Sequence, residues 1–130
     1  MQSFSIRTQK HTQFIDITSE VQAAASGTGC QNGIVTVFVP HTTTGVTINE
    51  NADPSVPIDI DNALERIVPW RNQYMHSEGN AAAHVKASLM GSSLQVILEN
   101  GKLMLGPWQA IFFCEFDGPR MRKYYIAVYP

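Results

Sequence analysis

Apolar side chains recur along the chain at two spacings, every second position and every third or fourth, and the switches between them divide it into strands and helices. Residues 3–11 alternate loosely and read as an opening strand, with residues 13–17 as its hairpin partner. Thr18, ahead of Ser19, Glu20 and Val21, is placed to cap a helix that dies in Ser26-Gly27-Thr28-Gly29. Residues 34–39 form a β-branched run that predicts a buried strand, and Pro40 closes it. Residues 45–50 alternate again, with Val46 and Ile48 on one face and Thr47 and Asn49 on the other. Helical spacing returns through Ile60, Leu64, Ile67 and Val68, predicting a helix over 58–68 stopped by Pro69. Asn80 and Gly91 bracket a second helix over 81–90.

After Gly91 the period is two throughout. Leu94, Val96 and Leu98 alternate with their neighbours, and Asn100-Gly101 supplies a two-residue hairpin turn into residues 102–105. A long strand follows over 108–116, with both faces largely apolar, and an aromatic strand over 120–129 follows the turn at Asp117-Gly118-Pro119. The order is two strands, a helix, two strands, two helices and four antiparallel strands. Blocks of strands interrupted by blocks of helices predict an α+β fold, a mainly antiparallel β-sandwich with a few helices. No linker or internal repeat divides the chain, so residues 1–130 read as one domain.

Composition narrows the function classes. The apolar fraction is 44%, the charged fraction 15% and the formal net charge −2. There is no basic run, which argues against nucleic acid. No apolar stretch reaches the ~20 residues of a membrane span, and the N-terminus lacks a signal-peptide pattern. A cytoplasmic protein is expected. Cys30 and Cys114, in a glycine-rich loop and an apolar strand, read as reduced thiols outside any paired-cysteine metal motif.

Candidate chemistry gathers where polar groups interrupt the apolar pattern. His76-Ser-Glu-Gly-Asn80 leads directly into the 81–90 helix that carries His84 near its first turn. Free N–H groups there suit an anion and disfavour an imidazolium. His41 follows the 34–39 strand at once, and Asn49 and Glu50 end the next. With the intervening threonines they form either a loop that caps its own backbone or a wall of a site. Glu115 and Asp117 fall on one face at the end of their strand, with Arg120 able to fold back beside them, a way to hold charge in a partly buried cleft. Three histidines in polar settings are also a zinc-like donor set, since an open zinc site takes three protein ligands and a water. His41, His76 and His84 would be those ligands, although their spacing matches no local zinc motif.

Taken together, His41-Thr-Thr, Ile48-Asn-Glu-Asn, His76-Ser-Glu-Gly-Asn80 with His84, Gly106-Pro-Trp-Gln109 and Glu115-Phe-Asp-Gly-Pro-Arg120 resemble the YjbQ-like family over essentially the whole chain. Its members are often labelled secondary thiamine-phosphate synthase enzymes. Pro107 stands where that pattern has threonine. The resemblance implies a homotrimer and a site drawing on His41, Asn49, Glu50, His76, Glu78, Asn80, His84, Trp108, Gln109, Glu115, Asp117 and Arg120. It also implies a transferase activity, the joining of an aminopyrimidine diphosphate to a thiazole phosphate with loss of pyrophosphate.

The expectation is therefore an enzyme acting on a small phosphorylated or anionic metabolite. His84, Glu115 and Asp117 would be catalytic or would orient catalytic groups. Asn49, Glu50, Glu78, Asn80, Trp108, Gln109 and Arg120 would bind substrate, and a divalent metal, zinc or magnesium, would sit on the histidines. The alternatives are a non-catalytic trimer that sequesters a ligand or metal, and a purely structural trimer with histidines at its contacts.

Overall fold

The computed structural model describes residues 1–130. Its elements follow the expected order: β1 (Gln2–Arg7), β2 (Gln13–Asp16), α1 (Thr18–Gly27), β3 (Gly33–Phe38), β4 (Thr44–Glu50), α2 (Ser55–Ile67), α3 (Ala81–Met90), β5 (Ser93–Glu99), β6 (Lys102–Leu103), β7 (Gln109–Glu115) and β8 (Met121–Tyr129). The fold is α+β. One sheet has the strand order β1-β8-β3-β5-β6 and the other β2-β7-β4, and neighbouring strands in both are antiparallel.

The two sheets share one core. Val35, Val37, Val96, Leu98, Tyr124 and Ile126 of the larger sheet meet Val46, Ile111 and Phe113 of the smaller, and α1 contributes Val21, Ala24 and Ala25. A second cluster lies behind the smaller sheet, where Ala110, Phe112 and Cys114 of β7 pack on Leu64 of α2 and Ala83 and Ala87 of α3. Strand β7 is thus covered on both faces, which is why its sequence lacks alternation. Small residues let α3 lie close on β4: a Cβ added at Gly45 would stand 2.6 Å from the Met90 Cβ.

Four local expectations change. Strand β2 does not form a hairpin with β1. It pairs with β7 (Ile15 opposite Phe113), whereas β1 pairs with β8 (Phe4 opposite Tyr124). Splitting the two puts Phe4 and Ile6 on one sheet and Ile15 on the other, all against the same core, which a lone hairpin could not achieve. The chain changes sheets at residues 8–12, where the Thr8 N–H donates to the Arg120 carbonyl and the His11 carbonyl accepts from the Gly118 N–H.

Thr18 does not cap α1. Its hydroxyl accepts from the Ile111 N–H at 2.8 Å, and Asp16 Oδ1 accepts from the Thr18 N–H instead. Helix α2 starts three residues earlier than expected, because Pro57 falls in its first turn, where the missing N–H has no partner to lose. The return strand after Asn100-Gly101 is only two residues long, although both turn residues have the positive φ expected (51° and 76°).

Candidate functional site

One end of the smaller sheet is organised by a buried ion pair. Glu115, the last residue of β7, is fully buried. Its Oε1 accepts from Arg122 Nε at 2.8 Å and from the Thr8 hydroxyl at 2.7 Å, while Oε2 accepts from Arg122 Nη2 at 2.5 Å. The Asp117 N–H adds a fourth bond at 3.0 Å. Burial pushes the Glu115 carboxyl up, but Arg122, Thr8 and the Asp117 amide together hold it below the ordinary carboxylate value. It is a carboxylate with its lone pairs engaged, and it fixes what surrounds it.

The loop beyond Glu115 is pinned by the same group. Arg120 N–H donates to the Thr8 hydroxyl at 2.8 Å. At Gly118 a side chain is excluded, because a Cβ there would fall on the Lys10 carbonyl and 2.8 Å from Glu115 Cγ. Asp117 is held from two sides: Arg120 Nη2 donates to its Oδ2 at 2.7 Å, and Asn80 Nδ2 donates to the same oxygen at 2.8 Å. Glu115 and Asp117 therefore do not share one guanidinium, as the sequence suggested. Arg122 takes the first and Arg120 the second, because Arg122 points inward from β8 whereas Arg120 lies in the turn before the strand, beside Asp117.

Asn80 precedes α3 as expected but does not cap it through its side chain. Its amide nitrogen is spent on Asp117, and its Oδ1 is buried without a partner. His84, in the first turn of α3, meets His76 of the preceding loop edge-on, with ring centroids 5.1 Å apart. Glu78 stands exposed in that loop. His41 comes from the other side of the site, after β3. Its Nε2 accepts from the Lys123 backbone N–H at 2.9 Å, so the ring carries its proton on Nδ1. Burial first, and then the Arg122 charge, hold the imidazole below its usual pKa.

Between them His41 and His84 line an open cleft of about 490 Å3, whose other walls include Thr42, Thr44, Ser88 and Ser92. Thr44 is buried, and its hydroxyl has no protein partner. The cleft thus offers hydroxyls, two imidazoles and an unsatisfied buried oxygen. No three His, Cys, Asp or Glu side chains converge where they could hold a metal ion. His41, His76 and His84 do not make a three-ligand centre within one chain, since His41 has already committed Nε2 to a backbone amide.

The remaining expected residues lie elsewhere. In the register of β4 and β7, Thr44 faces Glu115 and Glu50 faces Gln109. Asn49, Glu50, Trp108 and Gln109 therefore lie at the opposite end of the strands, six residue steps or about 20 Å from Glu115. With Ile48 they line a separate open recess of about 290 Å3. Gln109 Oε1 accepts from the Gly106 N–H, which shapes the turn presenting Trp108.

Arg122, Thr8 and Thr43, whose hydroxyl takes the other bond of Arg122 Nη2 at 2.7 Å, are absent from the sequence-based site. The signal for Arg122 was available. It is in phase with Tyr124 and Ile126 along β8 and so points inward, where an arginine needs a carboxylate.

Comparison with known proteins fits this geometry to a family. The family model described as UPF0047 protein YjbQ-like matches residues 2–130. UPF0047 protein YugU of Bacillus subtilis is 50% identical over 129 residues, covering 98% of each chain. UPF0047 protein MJ1081 of Methanocaldococcus jannaschii is 48% identical over 125 residues, 96% of this chain and 91% of that one. A crystal structure of a YjbQ/UPF0047 family protein from Clostridium acetobutylicum superposes with a TM-score of 0.98 at 53% identity, over 99% of this chain and 100% of that one. The site described above is thus carried on a fold shared from bacteria to archaea, and the chain belongs to the UPF0047, YjbQ-like family.

Proposed function

We propose that the protein is an enzyme that transforms a small anionic or phosphorylated metabolite in the His41–His84 cleft. The observation that carries this reading is Thr44. Its hydroxyl is buried beside the cleft with no protein partner, and a buried polar group is ordinarily paired. A ligand that bonds to it would remove the deficit. His84, whose ring makes no hydrogen bond to protein, is the group free to accept or donate a proton. Arg120, with Asn80 and Asp117 behind it, would face the anion, while Glu115 and Arg122 hold that loop in place.

The first reaction to assay is the one the family label names, transfer of an aminopyrimidine from its diphosphate to a thiazole phosphate with release of pyrophosphate. His84→Ala should lower turnover by about 10²–10⁴-fold and leave the unfolding transition unchanged. Full activity in that variant would remove His84 from the chemistry.

A second reading is favoured by the His76–His84 edge contact, two imidazoles without protein hydrogen bonds. In it the chain is a binding module that sequesters a ligand or a divalent metal such as zinc or magnesium on His76 and His84, with His41 holding its backbone bond to Lys123. Stoichiometric metal in protein purified without a histidine tag, lost in His84→Ala, would select it.

A further inference from the structure

We propose that His41 works in the cleft as a hydrogen-bond donor of fixed tautomer, its Nδ1–H offered to an oxygen of the ligand that gains negative charge during the reaction. This rests on the cleft being the working site, and it gives His41 a task opposite to that of His84.

The assignment starts from a backbone amide. The Lys123 N–H can only donate, so the ring nitrogen 2.9 Å from it, His41 Nε2, turns a lone pair toward it and carries no proton. The proton of the neutral ring is then on Nδ1, and the bond to Lys123 is the one hydrogen bond this ring makes to protein. A proton or a metal taken up at Nε2 would have to displace the Lys123 N–H, and Nδ1 is already protonated. His41 is thereby barred from acting as a base or a metal ligand while that bond holds. Burial, and then the charge of Arg122, oppose the imidazolium in the same sense.

The ring is also held in place. Successive residues of β8 grip its segment: the Lys123 N–H takes His41, and Arg122 Nη2 donates to the Thr43 hydroxyl at 2.7 Å. The Phe116 N–H donates to the Thr43 carbonyl at 3.2 Å. A donor fixed before the ligand arrives stabilises developing charge without first having to reorganise. The other polar walls of the cleft are not fixed in this way. Thr42, Thr44 and Ser92 carry hydroxyls that turn to donate or accept, while Ser88 spends its hydrogen on the His84 carbonyl at 2.9 Å and offers lone pairs alone. The His84 ring makes no hydrogen bond to protein, so its tautomer is free to change as a base requires.

The test sets two side chains of equal length against each other. In His41→Gln the amide oxygen accepts from Lys123 and the amide nitrogen donates into the cleft, as the imidazole does. In His41→Glu the Lys123 bond survives, but the cleft meets an acceptor. In the pyrophosphate-releasing assay, kcat should fall at most about tenfold in the first and about 10²–10³-fold in the second, with both variants folded by circular dichroism. Equal losses, or an active Glu variant beside an inactive Gln variant, would overturn the proposal, the latter by marking His41 as a base or metal ligand. Ring-nitrogen NMR of the nitrogen-15-labelled protein reads the tautomer without substrate. At pH 7 the proton should lie on Nδ1 of His41, the signal being assigned by its loss in His41→Gln; a proton on Nε2, or on both nitrogens, would overturn the proposal whatever the turnover. If the wild type releases no pyrophosphate in the assay, inorganic pyrophosphate is added instead and should shift the His41 Nδ1–H resonance; an unmoved resonance would overturn the proposal. Full activity in His84→Ala would remove the proposed base and leave the His41 spectrum as it was, so the two readings fail separately.

Discussion

At the scale of single residues, the Glu115–Arg122 pair decides how the site is held. Both side chains are buried, and every bond Glu115 makes serves either Arg122 or the loop that carries Asp117 and Arg120. Removing one partner strands a charge, whereas removing both does not. Glu115→Gln should cost about 3–5 kcal/mol in urea denaturation, and Glu115→Leu combined with Arg122→Met should recover most of it. If the double variant is as unstable as the single one, the loss lies in packing and the electrostatic account fails. Sequence made Glu115 visible through its phase with Ile111 and Phe113. It gave the wrong guanidinium because Arg120 is nearer along the chain, while Arg122 reaches Glu115 from the facing sheet.

At the scale of elements, α3 shows what punctuation can and cannot reveal. Its limits, Ala81 and Met90, match the expectation because Asn80 and Gly91 mark the ends regardless of tertiary context. The use of Asn80 could not be anticipated, since its partner Asp117 lies 37 residues away. The same helix carries Lys86, buried to 1% and bonded at 2.7 Å to a Glu65 carboxylate that is 48% exposed. Alanine-rich spacing alone would place an apolar residue there. Lys86→Met should be neutral or stabilising by up to about 1 kcal/mol, while Glu65→Ala, which removes the carboxylate bonded to the ammonium and leaves only the charge of Asp61 nearby, should cost more. Equal losses in the two variants would show that the ammonium contributes to stability beyond its pairing with Glu65.

At the scale of the whole molecule, the element order and the sandwich were legible because strand and helix periods change cleanly at Gly and Pro positions. The sheet pairing was not, because register depends on contacts between distant segments, as with β2 on β7. The expected site residues divide between two ends of the smaller sheet, which the sequence did not reveal because adjacency along a motif says nothing of which end of a strand it reaches. The cleft end also sets the response to acid. The His41 pKa lies below the ordinary 6.5 in the folded chain, so on acidification the unfolded chain takes up a proton first and folding loses ground. The depressed Glu115 value acts in the same direction lower down: its stabilisation is complete above the ordinary 4.5 and disappears as pH falls through the folded value. The urea midpoint should therefore drop between pH 7 and pH 5, and drop less in His41→Gln, which keeps an acceptor for the Lys123 amide. An unchanged slope in that variant would assign the acid response elsewhere.

Strand β8 lies between β1 and β3 in the larger sheet. Strand β1 thus has no neighbour until residues 121–129 arrive, and Arg122 arrives with them. During translation β1 and β3 keep open edges and Glu115 stays uncompensated until then, so folding is committed only when β8 docks. The interval before that is when chaperones matter most for this chain.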